Sequence, residues 1–106
     1  MGIFDFFKGP DINAGVEQFD ATPQAVLLDV RTRPEYAAGR IPHSRNLPLD
    51  ELSRAAEEIP DHSTPLFVYC LSGARSRQAA AMLQRMGYHS VTNIGGINGY
   101  RGVTEG

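Results

Sequence analysis

Apolar positions follow two alternating rhythms along the chain. Residues 25–30 (AVLLDV) are almost continuously apolar and β-branched, which predicts a strand buried on both faces, as in a parallel sheet. Residues 65–70 (PLFVYC) repeat that pattern. Shorter runs at 46–49 and 90–93 predict two more strands, the first at an edge because Pro48 cannot donate to a ladder. Between these runs the period becomes helical. Ala79, Met82, Leu83 and Met86 form one stripe within a helix predicted over 75–86, and Gly87 supplies its stop. Asp11 predicts the cap of a short helix over 12–19, with Val16 and Phe19 on one face. Residues 34–39 and 50–59, the latter ended by Pro60, predict two further helices. Gly95-Gly96 predicts a loop, and 97–101 a helical turn. Strands alternating with helices predict one α/β domain with a mostly parallel sheet.

Composition narrows the picture. A chain of 106 residues holds one domain, and 42% hydrophobic with 21% charged residues is a globular rather than a disordered balance. The net charge of −2 argues against a dedicated nucleic-acid binder. That total conceals a split. Residues 1–61 carry six bases and eleven acids, a net of −5. Residues 62–106 carry Arg75, Arg77, Arg85 and Arg101 against Glu105 alone, a net of +3. Unless folding mixes the halves, anions are drawn to the second.

Residues 1–9 read as an N-terminal arm, closed by Gly9-Pro10, and 10–106 as the domain. The start is too short in apolar content for a secretory signal, and no stretch reaches the length of a membrane span. Phe6 stands where a myristoylation signal wants Ser or Thr. Ile3, Phe4, Phe6 and Phe7 read as an arm packed over the domain in preference to a sticky patch. A cytoplasmic setting is expected, and it suits a free thiol.

Cys70 is the only cysteine, which excludes an intramolecular disulfide, a zinc ribbon and an iron–sulfur cluster held within the chain. By itself it reads as a buried apolar residue or as a reactive thiol. Its position favours the thiol. It ends a buried strand, and Leu71, Ser72, Gly73 and Ala74 lead into the helix at Arg75 and Ser76. Ligands of parallel sheets bind beyond the strands' carboxyl ends. A loop of this kind curls its N–H groups into an anion nest and adds the positive end of a helix dipole. Such a cradle lowers a thiol pKa and makes a nucleophile. Ser72 and Ser76 can donate to the same anion, and Arg75 either adds charge or braces the loop from outside. His43, His62 and His89 are scattered and lack metal-site spacing, so no metal and no cofactor is expected. Asp29 ends the first strand, where a buried carboxylate needs a partner; Arg31 and Arg45 are the candidates. Arg40 and Arg45 are expected to flank the pocket mouth.

These residues resemble a known family. CLSGARS at 70–76 is similar to the active-site loop of single-domain rhodaneses, the sulfurtransferases. LDVR at 28–31 with Glu35-Tyr36, GRIP at 39–42 followed by NLP at 46–48, and Gly95-Gly96 with Tyr100 resemble the family's other motifs, in the family's order. Arg40 stands where the family commonly has His, His43-Ser44 where it has Gly-Ala, and Tyr100 where it has Trp. The resemblance spans roughly residues 11–103. It implies a rhodanese-like α/β fold, with a five-stranded, mostly parallel sheet flanked by helices on both faces and Cys70 as the sulfur carrier.

Loop length bears on the chemistry. Four residues separate Cys70 from Arg75, whereas related phosphatases carry five and enclose a phosphate. Sulfur transfer is therefore expected over ester hydrolysis. Cys70 would take a sulfane sulfur from thiosulfate or another sulfane donor such as a persulfide and pass it to cyanide, glutathione or thioredoxin. Asp29, Arg31, Arg40 and Arg45 would support the loop, 71–76, that holds it. The competing classes are a persulfide carrier without turnover and a redox sensor built on Cys70.

Overall fold

The computed structural model describes residues 9–106. The expected arm, with its apolar residues Ile3 to Phe7, lies outside the described residues apart from Gly9.

Four parallel strands form one sheet in the order β2-β1-β3-β4. They are β1 (Val26–Asp29), β2 (Ser44–Asn46), β3 (Leu66–Cys70) and β4 (Val91–Gly96). The expected fifth strand does not occur among the described residues. The reason is in the pattern itself. The chain has only four strand-like apolar runs, and the fifth strand rested on the family resemblance alone. The helices are α1 (Ile12–Ala21), α2 (Arg33–Ala38), α3 (Ala55–Glu58) and α4 (Ala74–Arg85).

Side chains of the two central strands alternate between two cores, as the period of 2 requires. Leu28, Val30, Leu66, Val68 and Cys70 face Leu52, Ala55, Ile59, Ala79 and Leu83 of the α3–α4 layer. Leu27, Phe67 and Tyr69 face Ile12 and Ile94, with Val16 and Phe19 of α1 packed beside them. Helices therefore cover both faces. Every residue of β3 is buried, which makes it the spine of the domain. On α4 the predicted stripe holds: Ala79 and Leu83 are buried, and Met82 and Met86 pack at the edge of the same core. Gly87 takes φ 104°, a left-handed turn that a side chain would resist. Asp11 caps α1, accepting from the Asn13 N–H at 3.0 Å. Thr32 and Glu35 form a reciprocal capping box on α2.

Three local expectations are corrected. The edge strand lies at Ser44–Asn46, not 46–49, because Asn46 ties itself to β1 and Pro48 opens a turn instead. The segment predicted as one helix over 50–59 is a 3-10 turn, Leu49–Arg54, followed by α3. Glu51 breaks it at φ −115°, ψ 16°, held by ion pairs with Arg33 and Arg54. Gly95-Gly96 does not open a loop. These residues extend β4 through a bulge, Tyr69 pairing with Gly95 and Cys70 with Gly96. His43, where the family pattern has glycine, takes a left-handed φ of 71°. The turn is tied by Ser44, whose N–H and hydroxyl both donate to the Ile41 carbonyl, at 3.2 and 2.6 Å.

Candidate active site

The bulge and the two ends of β3 and β4 build the site. Cys70 is 1% exposed, at the carboxyl end of β3 and under the loop that follows. Gly73 turns that loop with φ 103° and stands at the cap position of α4. A left-handed residue here aims successive N–H groups inward, toward the sulfur. The Gly73 N–H donates to Cys70 Sγ at 3.0 Å. The thiol in turn faces Ser76 Oγ at 3.4 Å. Burial pushes the Cys70 thiol up. The Ser76 hydroxyl and the N–H groups of Ser76, Gly73 and Ser72 outweigh it, and the net pKa lies below the ordinary thiol value.

Ser76 is fully buried and has more neighbours than protons. Its hydroxyl donates to Asn93 Oδ1 at 2.7 Å, with the carbonyls of Gly73 and Gly95 at 3.1 and 3.4 Å. Asn93 Oδ1 also accepts the Gly95 N–H at 3.0 Å. Asn93 thus locks Ser76 to the bulge of β4. The sequence pattern places Asn93 only at the end of a predicted strand, 90–93. The available signal was a side-chain amide directly before Ile94-Gly95-Gly96, where the apolar run stops.

Gly96 supports the loop from behind. A methyl on it would collide with the Leu71 carbonyl and with Ser72 Cα at 2.7 Å. The Asn98 N–H donates to the same Leu71 carbonyl at 3.2 Å. Leu71, Ser72 and Ala74 are exposed on the loop's outer side.

Arg75 braces the loop from outside. Its guanidinium pairs with both oxygens of Glu35, at 2.7 and 3.0 Å. Arg75, helped by Thr32 and against partial burial, holds the Glu35 carboxyl down to about 2. The acid-poor half of the sequence therefore meets an acid from the other half in space, so folding cancels part of the charge split.

Asp29 and Arg31 neutralise each other. Asp29 is fully buried, and the Arg31 Nε and Nη2 reach its two oxygens at 3.0 and 2.6 Å. The Arg31 backbone N–H adds a bond at 2.9 Å, and its Nη2 also donates to the Gly39 carbonyl at 2.7 Å. Arg31 is thus the partner of Asp29, and Arg45 is exposed on β2. Arg40 reaches Glu105 at 3.9 Å and lies 4.9 Å over the Tyr36 ring. Neither Arg40 nor Arg45 lines either of the two cavities that flank the loop.

Two cavities flank it. One of about 490 Å³ lies on the β4 side, with Ser72, Gly73, Ala74, Arg77 and Arg101 in its walls. One of about 270 Å³ lies on the β1 side, between Thr32, Pro48, Leu49 and Arg75. Cys70 itself lines neither. No cluster of side chains able to hold a metal occurs among the described residues. No helix among them is long and apolar enough to cross a membrane.

A cysteine cupped by backbone N–H groups at the end of a parallel strand defines the class, and comparison with known proteins agrees. The model of the Rhodanese-like domain matches residues 14–102, and the chain belongs to that family. It is 43% identical over 77 residues to a "Sulfurtransferase" of Allochromatium vinosum, covering 72% of this chain and 71% of that protein. It is 32% identical to the tRNA uridine(34) hydroxylase of Salmonella paratyphi B, covering 92% of this chain but only 29% of that longer protein. Among solved structures, a "rhodanese with anions from E. coli" superposes with TM-score 0.71 and 33% identity, covering 76% of this chain and 96% of that one. The fold is the rhodanese fold, and the family is one of sulfurtransferase-type enzymes.

Proposed function

We propose that this protein transfers a sulfane sulfur from thiosulfate, or a comparable persulfide donor, to a thiophilic acceptor through a Cys70 persulfide. The observation that carries the reading is the sulfur's environment. Cys70 Sγ meets the Gly73 N–H at 3.0 Å and the Ser76 hydroxyl at 3.4 Å, at the start of the 12-residue helix α4. Fixed donors around a forming anion are the main electrostatic resource of such sites.

The Cys70 thiolate attacks the outer sulfur of thiosulfate. A sulfur–sulfur bond forms to Sγ, the bond to the sulfonate sulfur breaks, and sulfite leaves with that electron pair. The persulfide anion then sits in the cradle, with the Ser76 proton turned toward it. In the second step an acceptor thiolate, or cyanide, attacks the outer sulfur and Cys70 leaves as thiolate. No net oxidation of the protein occurs over the cycle. The kinetics are ping-pong.

Arg75 supports sulfur transfer over phosphate ester hydrolysis. Its guanidinium is engaged with Glu35, outside the loop, and is not free to clamp a phosphate within it. With no second cysteine, the acceptor comes from outside the chain: a small thiol such as glutathione, or a protein thiol such as thioredoxin. The net charge of −2 favours these over RNA. The reading goes with a cytoplasmic setting, where a lone thiol stays reduced.

Mass spectrometry of Cys70 after thiosulfate treatment tests it. An adduct of about 32 Da, one sulfur, is expected, and cyanide removes it. Sulfinic acid has nearly the same mass but resists cyanide, so a cyanide-resistant adduct would mark a redox sensor instead. Cys70→Ser should reduce turnover to background while the fold persists by circular dichroism. Retained turnover in that variant sinks the mechanism.

A further inference from the structure

The cavity of about 490 Å³ on the β4 side has no role in the chemistry above. Three segments wall it: the start of α1, the loop with the first turn of α4, and the turn after β4. Asn13 fastens two of them. Its side-chain amide donates to the Gly99 carbonyl at 3.0 Å and accepts the Arg101 N–H at 2.9 Å. The cavity is therefore built before any ligand arrives. Its volume is that of a site for a small molecule, within the usual range of about 300–1,000 Å³.

Its charges are specific. Arg77 and Arg101 line it, and neither forms an ion pair among the described residues. Asp11 is the one carboxylate in the wall. Asp11 stays ionised, since the Asn13 N–H and the Arg101 charge both lower its pKa. Asn93 lines the wall as well, its Oδ1 bound by Ser76 and Gly95 and its amide nitrogen unbonded among the described residues. The wall is one backbone thick at Gly73, which both lines the cavity and donates to Cys70 Sγ at 3.0 Å.

We propose that this cavity is the acceptor subsite, and that it binds a small thiol peptide carrying two carboxylates and one ammonium group, as glutathione does. Arg77 and Arg101 take the carboxylates and Asp11 the ammonium. The peptide's thiol then reaches over the exposed Ser72 rim to the persulfide. This rests on the sulfurtransferase reading for its chemistry but not for its binding. In the transfer step the peptide thiol loses its proton to solvent and its sulfur bonds to the outer persulfide sulfur. The bond to Sγ breaks, and Cys70 recovers the electron pair as thiolate.

Two measurements separate the subsite from the reaction. S-methylglutathione, which has no free thiol, is titrated into the unmodified protein and followed by amide NMR. Saturable shifts at 72–74 and 99–101 are expected, with a Kd below about 10 mM. Arg77→Ala/Arg101→Ala should weaken binding about ten-fold or more. Absence of saturation, or equal affinity in the double variant, overturns the subsite. The second measurement discharges pre-formed Cys70 persulfide with glutathione and with its diethyl ester. The native protein should prefer glutathione about ten-fold, and the double variant should lose that preference. A preference that is absent, or that survives in the variant, also overturns the proposal. Peptide binding without any cyanide-reversible persulfide would instead refute the sulfurtransferase reading alone.

Discussion

The carboxyl ends of β1 and β3 are neighbours in the sheet, Asp29 paired with Tyr69 one residue before Cys70, yet they use opposite means. The β1 end buries formal charges, Asp29 and Arg31, and cancels them within one ion pair. The β3 end surrounds Cys70 with uncharged groups, N–H and hydroxyl, and leaves an ionisable sulfur as the focus. Buried charges that meet at 2.6 Å are a structural fixture, whereas oriented dipoles with no opposing charge are poised for an anion still to form. The conspicuous LDVR motif therefore holds shape, and the proposed chemistry falls to the loop beside it.

The largest expected effect breaks the β1 end. Asp29→Ala leaves Arg31 buried without its partner and should cost about 3–5 kcal/mol of stability. Urea unfolding measures it. Per folded molecule, Cys70 alkylation should remain; loss of reactivity at full stability would make Asp29 part of the chemistry. Gly96→Ala acts on the β3 end. Its methyl displaces the Leu71–Ser72 backbone, so persulfide formation should fall well beyond its cost of about 1–3 kcal/mol in stability, as rapid-quench kinetics would show.

Ser76→Ala removes the hydroxyl that accepts from the Cys70 thiol and that can turn its proton from Asn93 to the sulfur once the thiolate forms. A hydrogen bond to a charged group is worth about 1.5–3 kcal/mol, so the Cys70 pKa should rise by about one to two units. The pH profile of iodoacetamide alkylation reads this directly, and an unmoved profile would assign the low pKa to backbone N–H groups alone. The smallest effect concerns Glu35. Its pKa is lowered from 4.5 to about 2 in the fold, so the Glu35–Arg75 brace contributes stability fully above pH about 4.5. That contribution is lost as pH falls through about 2. In Glu35→Gln the corresponding segment of an acid-unfolding curve should flatten, by no more than about 1 kcal/mol for a partly exposed pair.

The elements and the cysteine loop were legible because they are contiguous. A buried strand, a helical stripe and a left-handed glycine are each properties of about ten neighbouring residues or fewer. The five-strand sheet was not, since it came from resemblance while the apolar runs numbered four. The turn of Gly95-Gly96 into strand was hidden for a different reason. Only pairing with β3 shows that these glycines sit in a bulge against the loop rather than in a loop of their own.

The sequence by itself determined the alternating α/β order, the burial of β3 and the position of Cys70 at a strand–helix junction. Tertiary structure decided which groups face the sulfur. Asn93 reaches Ser76 across 17 residues and Glu35 reaches Arg75 across 40. Arg75 had two open roles in the sequence, and only the arrival of Glu35 turned it away from the loop. The reason is physical: hydrogen-bond partners and opposing charges are chosen by proximity in space, and chain periodicity carries no record of which distant side chain will arrive.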